Sequence, residues 1–235
     1  AFLKRFYVPQ QMVFFSLGSM AFDKVVRYAE RYFSTLTDAP DVRHRVVPQP
    51  IQPFAERLSC DTHQTHVVWG RRTYSLYDNL RLPMLLMNNI LGGPCLNSLL
   101  NVALREQRGY VYTVESAITN YTDTGIFSVY FGTDVRHVDK CMQRVRKVLD
   151  SVRRTYLTGA RLVAAKKQYL GQLQVAEDNN EGLALAIGKG FLRHGTILAP
   201  DEQKSRIEAI TLDEMRQVAE EMLDADSWSL LIFEP

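Results

Sequence analysis

The chain has few cysteines and no pattern among them: Cys60, Cys95 and Cys141 are the three in 235 residues. An odd count without C-x-x-C argues against a disulfide framework and a cysteine-ligated zinc site. The bland reading is three small thiols, buried or half-buried. Long hydrophobic runs are missing too. No stretch reaches the ~18 apolar residues of a membrane helix, so no membrane partner is expected. Neither sign of charge is in excess, since 28 Lys plus Arg against 26 Asp plus Glu leave +2. Nucleic-acid binders need a basic field, and none is expected here. The start, Ala1-Phe2-Leu3-Lys4, lacks the charged segment and cleavage site of a signal peptide, and it is not an initiator Met. An upstream region is therefore left open. So is the compartment, with the cytoplasm weakly favoured over the periplasm.

Catalytic motifs are equally scarce. The histidines are His44, His63, His66, His137 and His194, and no H-x-x-E-H or H-E-x-x-H joins them. His63 and His66 are three apart, which on a strand sends them to opposite faces. No metal site is expected in this chain. G-x-S-x-G and the glycine-rich phosphate loops are absent. Gly188-Lys189-Gly190 sits inside a helical pattern and reads as close helix packing.

What is present is an ordinary globular mix, 46% hydrophobic and 23% charged. Residues 11–17 read as a buried strand and Phe22 to Leu36 as an amphipathic helix. Pro40, Pro48, Pro50 and Pro53 mark residues 37–54 as a linker. Strand 64–74 and helix 81–91, with Pro83 in its first turn, follow. Asn97 is the expected N-cap of a helix that Gly109 ends. Strands 110–118 and 125–133 precede helices at 138–152, 160–178, 180–194 and 201–209. Thr211 and Glu214 form a capping box, and 227–233 is a last strand. The two ends are alike. Phe6-Tyr7 passes through a polar turn into 12–17, as Met222-Leu223 does into 228–233. Residues 1–36 then read as the trailing strand and helix of a preceding repeat, and 55–235 as one complete copy.

One constellation carries chemistry: Leu104-Arg105-Glu106-Gln107-Arg108-Gly109-Tyr110-Val111-Tyr112. A cation ends a helix, glycine reverses the chain, and a strand is expected to present two tyrosines on one face. Arg105 and Tyr112 would converge there. A guanidinium and a phenol both donate hydrogen bonds, which suits a peptide carbonyl. The competing reading is structural, since arginine complements a helix C-terminus and tyrosine is a common strand residue.

The sequence resembles the second half of insulinase/pitrilysin-type zinc metallopeptidases, the inverzincins. The resemblance rests on Ile90-Leu91-Gly92-Gly93-Pro94, Leu96-Asn97-Ser98-Leu99-Leu100 and Leu104-Arg105-Glu106 with Gly109-Tyr110-Val111-Tyr112. It continues through Thr124-Gly125-Ile126-Phe127, Ala165-Lys166-Lys167-Gln168 and the closing helix and strand. Tyr7-Val8-Pro9, Gly18 and Ala29-Glu30-Arg31-Tyr32-Phe33 look like the segment just before that half. Leu99 departs from the pattern, because many members have arginine there.

The resemblance implies an α+β fold, a two-layer arrangement of a mostly antiparallel sheet with helices packed on one face. It also implies that 55–235 is the metal-free domain, with zinc held by H-x-x-E-H and a later glutamate in a complementary half. That half would be upstream in the same chain or a separate subunit. The two would close around an unfolded peptide, with a homodimer as a further option. By motif, Arg105 and Tyr112 take the catalytic roles, and Tyr110 and Gly109 are the lesser, substrate-binding candidates. The rival reading is a non-catalytic structural or binding member of the same fold.

Overall fold

A computed structural model of the chain describes residues 2–37, 46–197 and 199–235. His44 and the 38–45 part of the proline-rich stretch lie outside them. In chain order the elements are α1 (Phe2–Phe6), α2 (Phe22–Phe33), β1 (Ala55–Ser59), β2 (Thr65–Thr73), α3 (Arg81–Gly92), β3 (Val111–Asn120), β4 (Gly125–Thr133), α4 (Val138–Ser151), α5 (Gly159–Glu177), α6 (Asn180–His194), α7 (Pro200–Glu208), α8 (Leu212–Met222) and β5 (Ser229–Glu234). The chain divides into two compact units. One is Val46–Tyr169 with Arg206–Pro235, and the other is Ala1–Arg45 with Leu170–Ser205.

The first of these units holds the sheet, ordered β1-β5-β2-β4-β3. Only β1 and β5 run parallel; β5–β2, β2–β4 and β4–β3 are antiparallel. Residues directly opposite share a face, so the register sorts the side chains. Val67 and Trp69 of β2, Phe127, Val129 and Phe131 of β4, and Ile232 of β5 are buried together on one face. His66, Val68, Ser128 and Tyr130 are half-buried on the other. Phe127 and Trp69 meet the Trp228 ring edge-on, at centroid distances of 5.3 and 5.8 Å, a favoured aromatic geometry. Trp228 Nε1 donates to Met222 O at 2.8 Å, so its one polar group is satisfied.

The helices supply the second layer. α3 is apolar on nearly every side and buries Met84, Leu86, Met87 and Leu91; it packs against β3 and α8. Each such side chain contributes about 1.5–3 kcal/mol on burial. α8 opens with the expected capping box, Glu214 N donating to Thr211 Oγ1 and Thr211 N to Glu214 Oε2. The fold is α+β.

β1 was not expected from the sequence. All five of its residues are exposed, so no alternation marks it, and it is held by its ladder to β5 and by the Arg57–Glu234 ion pair.

In the other unit the expected strand 11–17 is not a strand. Pro9–Gln11 form a 3₁₀ turn, and the extended residues after it pair with no strand among the described residues. Val13, Phe14 and Phe15 instead line an apolar pocket with Ile187, Gly188, Phe191 and Ile197. The Phe15 ring packs so closely on Gly188 that a Cβ there would lie 2.5 Å from it. Close packing is thus the use of Gly188; nothing lies within 4 Å of a Cβ at Gly190. α6 is capped at both ends, by Asn179 accepting from Gly182 N and by left-handed Gly195.

Candidate functional site

The helix expected from Asn97 begins two residues later, at Leu99. Asn97 therefore lies one residue before the N-cap position, and its Nδ2 donates to Gln168 Oε1 at 2.8 Å. From Asn101 to Glu106 the backbone widens into a π turn, a local insertion frequent at functional sites. Gln107 N reaches back five residues to Val102 O at 3.0 Å. Leu104 is fully buried and anchors the turn, while Arg105 to Gly109 are exposed. Gly109 adopts φ +60, a left-handed conformation that costs other L-residues energy. Its N–H donates to Arg105 O at 2.8 Å, and Tyr110 N donates to Leu104 O at 3.0 Å. The carbonyls that the helix end would otherwise leave bare are thereby used.

A short relay then fixes where the strand begins. Cys141 Sγ donates to Thr133 Oγ1 at 3.8 Å, and Thr133 Oγ1 donates to Tyr110 O at 2.5 Å. The Tyr110 ring leans on His137 at 4.9 Å and lies under Lys140 Nζ at 5.9 Å. Tyr110 is therefore engaged with the start of α4.

Tyr112 is placed differently. Val111 pairs with Thr133 and Thr113 with Gly132, so Tyr112 is the extra residue of a β-bulge. The two-residue alternation expected to put Tyr110 and Tyr112 on one face is broken there, since a bulge re-aims the side chains around it. Tyr112 is 64% exposed. Arg105 and Tyr112 thus stand on either side of the Gly109 turn, on a π turn and a strand that pack against each other. Among the described residues neither polar tip makes a hydrogen bond or ion pair.

Metal ligation finds no support in these side chains. Among the described residues no three of His, Cys, Asp or Glu are grouped to hold an ion. The residues present do not fit zinc.

This geometry defines an α+β domain whose described residues assemble no metal centre. Residues 1–169 match the family described as the peptidase M16 inactive domain, and the chain belongs to that family. It is similar over 233 residues, at 29% identity, to a protein of Streptomyces coelicolor named an uncharacterized zinc protease, covering 94% of this chain and 50% of that one. A probable mitochondrial-processing peptidase subunit beta of Schizosaccharomyces pombe is 25% identical, with 94% and 51% covered. The chain spans about half the length of the curated relatives it matches. Among solved structures, the peptidase M16 inactive domain from Pseudomonas fluorescens shares the fold with TM-score 0.79 at 18% identity, covering 92% of this chain and 52% of that one.

No helix among the described residues is long and apolar enough to cross a membrane.

Proposed function

We propose that this chain is the substrate-binding, metal-free half of a zinc endopeptidase. It closes over an unfolded peptide with a zinc-holding half, upstream in the same chain or in a separate subunit. Arg105 and Tyr112 donate hydrogen bonds to the carbonyl oxygen as negative charge develops on it. The observation that supports this reading is their placement on either side of the Gly109 turn, on elements that pack against each other. Both are exposed donors without internal partners, mounted on buried Leu104 and on a strand start held by Thr133. Donors left free on a fixed frame are what an oxyanion requires. Gly109 acts through the turn, and Tyr110 is the lesser substrate-binding candidate because its ring is engaged by His137.

Residues 1–36 are read as the tail of a preceding repeat. The support is a shared local form. α1 leads through the 3₁₀ turn Pro9–Gln11 into extended chain, as α8 leads through the 3₁₀ turn Ala225–Ser227 into β5.

The test is kinetic, in a protein that includes the zinc half. Removing one oxyanion donor typically lowers turnover about 10²–10³-fold. Tyr112→Phe should do so with little change in ground-state binding, and Arg105→Ala should weaken both. A Tyr112→Phe enzyme with unchanged turnover removes Tyr112 from the mechanism. The second reading is a non-catalytic binding or structural member, and the matched family's description as an inactive domain fits it as well as the first. A search of the coding sequence before Ala1 and of neighbouring genes for H-x-x-E-H separates the two.

A further inference from the structure

In the ladder between β3 and β4, Tyr112 has no partner of its own. Val111 pairs with Thr133 and Thr113 with Gly132, and Tyr112 is the extra residue between them. A ladder fixes a paired residue directly, but a bulged one points where its two neighbours hold it. The direction of the Tyr112 side chain is therefore set by whatever fixes the chain just before it.

That task falls to Thr133, which meets the incoming strand twice. Its backbone lies opposite Val111 in the ladder, and its hydroxyl donates to Tyr110 O at 2.5 Å. The other end of Tyr110 is held as well, since its N–H donates to Leu104 O at 3.0 Å. Tyr110 is thus bonded on one side to the π turn that carries Arg105 and on the other to β4. A hydroxyl has one proton and two lone pairs. Cys141 Sγ donates to Thr133 Oγ1 at 3.8 Å, so it occupies a lone pair and leaves the single proton for Tyr110 O. Thr133 and Cys141 are both fully buried, and a buried hydroxyl is costly without a partner. The bond to Tyr110 O therefore resists opening.

We infer that Thr133 is a positioning residue for Tyr112: it touches no substrate, and its hydroxyl sets where the bulge aims the phenol. This inference rests on the role proposed above for Tyr112 and adds the residue that aims it. A donor serves an oxyanion only where it stands at hydrogen-bond distance from the developing charge. A displacement of about 1 Å, caused by a change away from the chemistry, can lower a rate about 10²-fold. Arg105 follows buried Leu104 in the chain and depends on Thr133 less.

The test uses the protein with its zinc half and an unstructured fluorogenic peptide. Thr133→Val keeps the branched shape and removes the hydroxyl, while Thr133→Ser keeps the hydroxyl and loses a methyl. Melting temperatures are recorded beside the rates, so that turnover refers to folded protein. Thr133→Val should lower kcat about tenfold with KM within about twofold. Thr133→Ser should keep kcat within about twofold of the wild type. A double-mutant cycle with Tyr112→Phe separates aiming from general support. With the phenol hydroxyl gone there is nothing left to aim, so adding Thr133→Val should lower kcat less than about twofold further. Thr133→Ala takes the place of Thr133→Val if the latter does not fold. A loss that persists undiminished in the Tyr112→Phe background, or that Thr133→Ser shares, marks a structural role and overturns the inference. So does a folded Thr133→Val with wild-type kcat while Tyr112→Phe still lowers turnover, and the proposed function then stands. Unchanged turnover in Tyr112→Phe removes Tyr112 from the mechanism and overturns this inference with it.

Discussion

The ring of Phe15 lies where a side chain at residue 188 would have to go. A Cβ on Gly188 would come within 2.5 Å of both Phe15 Cδ1 and Cε1. Overpacking of this kind typically costs 1–3 kcal/mol, and Phe15 is 39% exposed, so its ring has room to swing. Gly188→Ala should therefore destabilise its unit by about 1 kcal/mol, at the low end of that range. Gly190→Ala meets nothing within 4 Å and should stabilise by about 0.5–1 kcal/mol through helix propensity. Hydrogen exchange in α6 checks both, and equal effects from the two substitutions would refute the packing role.

The Gly109 turn can be tested apart from catalysis. Alanine at φ +60 should cost about 1–2 kcal/mol, because the left-handed region crowds its Cβ. Gly109→Asn should recover part of the loss, since Asn tolerates that region. Thermal unfolding of both variants gives the answer. If Gly109→Ala melts with the wild type, the turn is not held as described.

Alkaline pH should weaken the protein. Burial pushes the Cys141 thiol above its ordinary value, with the hydrogen bond to Thr133 working the other way. Burial also raises the Tyr74 phenol, helped by its hydrogen bond to Glu221, and the Tyr169 phenol, opposed by Arg81. An acid with a raised folded value keeps its proton after the unfolded chain has lost it. Its stabilising contribution is therefore whole below the unfolded value and shrinks above it. That value is about 8.5 for a thiol and about 10 for a phenol. Melting temperatures should fall above about pH 9, and Cys141→Ala should remove the earliest part of the decline. A wild-type profile level to about pH 11 would contradict this.

The same thiol should be chemically quiet. Alkylation needs thiolate and access, and Cys141 is fully buried while Cys60 and Cys95 are half-buried. Mass mapping after brief iodoacetamide treatment at neutral pH should find Cys141 labelled last. Early labelling would mean that the relay to Tyr110 opens.

Chelator-washed protein should also carry no stoichiometric zinc, since no group of ligands is assembled among the described residues. Elemental analysis decides this, and one tightly held zinc per chain would overturn it.

The elements with a buried stripe were legible in the sequence. α4 could be read from Cys141, Val145 and Leu149, and α8 from its Thr211 box, because burial imposes a period and a cap has its own signature. β1 left no such trace, since Glu56 and Arg57 are exposed like the rest of it. Residues 12–17 misled for the opposite reason: Val13, Phe14 and Phe15 are apolar enough for a strand but serve a pocket beside α6. At the proposed site, residue type and spacing draw attention to Arg105 and Tyr112 but leave the structural reading open, and their proposed roles rest on the resemblance. The π turn and the bulge could not be read, because one extra residue in a ladder leaves the composition unchanged.

The edge-on contact of Trp69 with Trp228 has a spectroscopic consequence. They are the chain's two tryptophans, and both belong to the sheet-bearing unit. Intrinsic tryptophan emission therefore follows the melting of that unit alone. The unit holding α2 and α6 is silent in this signal, although its helices contribute to far-ultraviolet circular dichroism. A chain whose emission is unchanged can thus have lost the Phe15–Gly188 packing altogether, and the two signals recorded together tell the units apart.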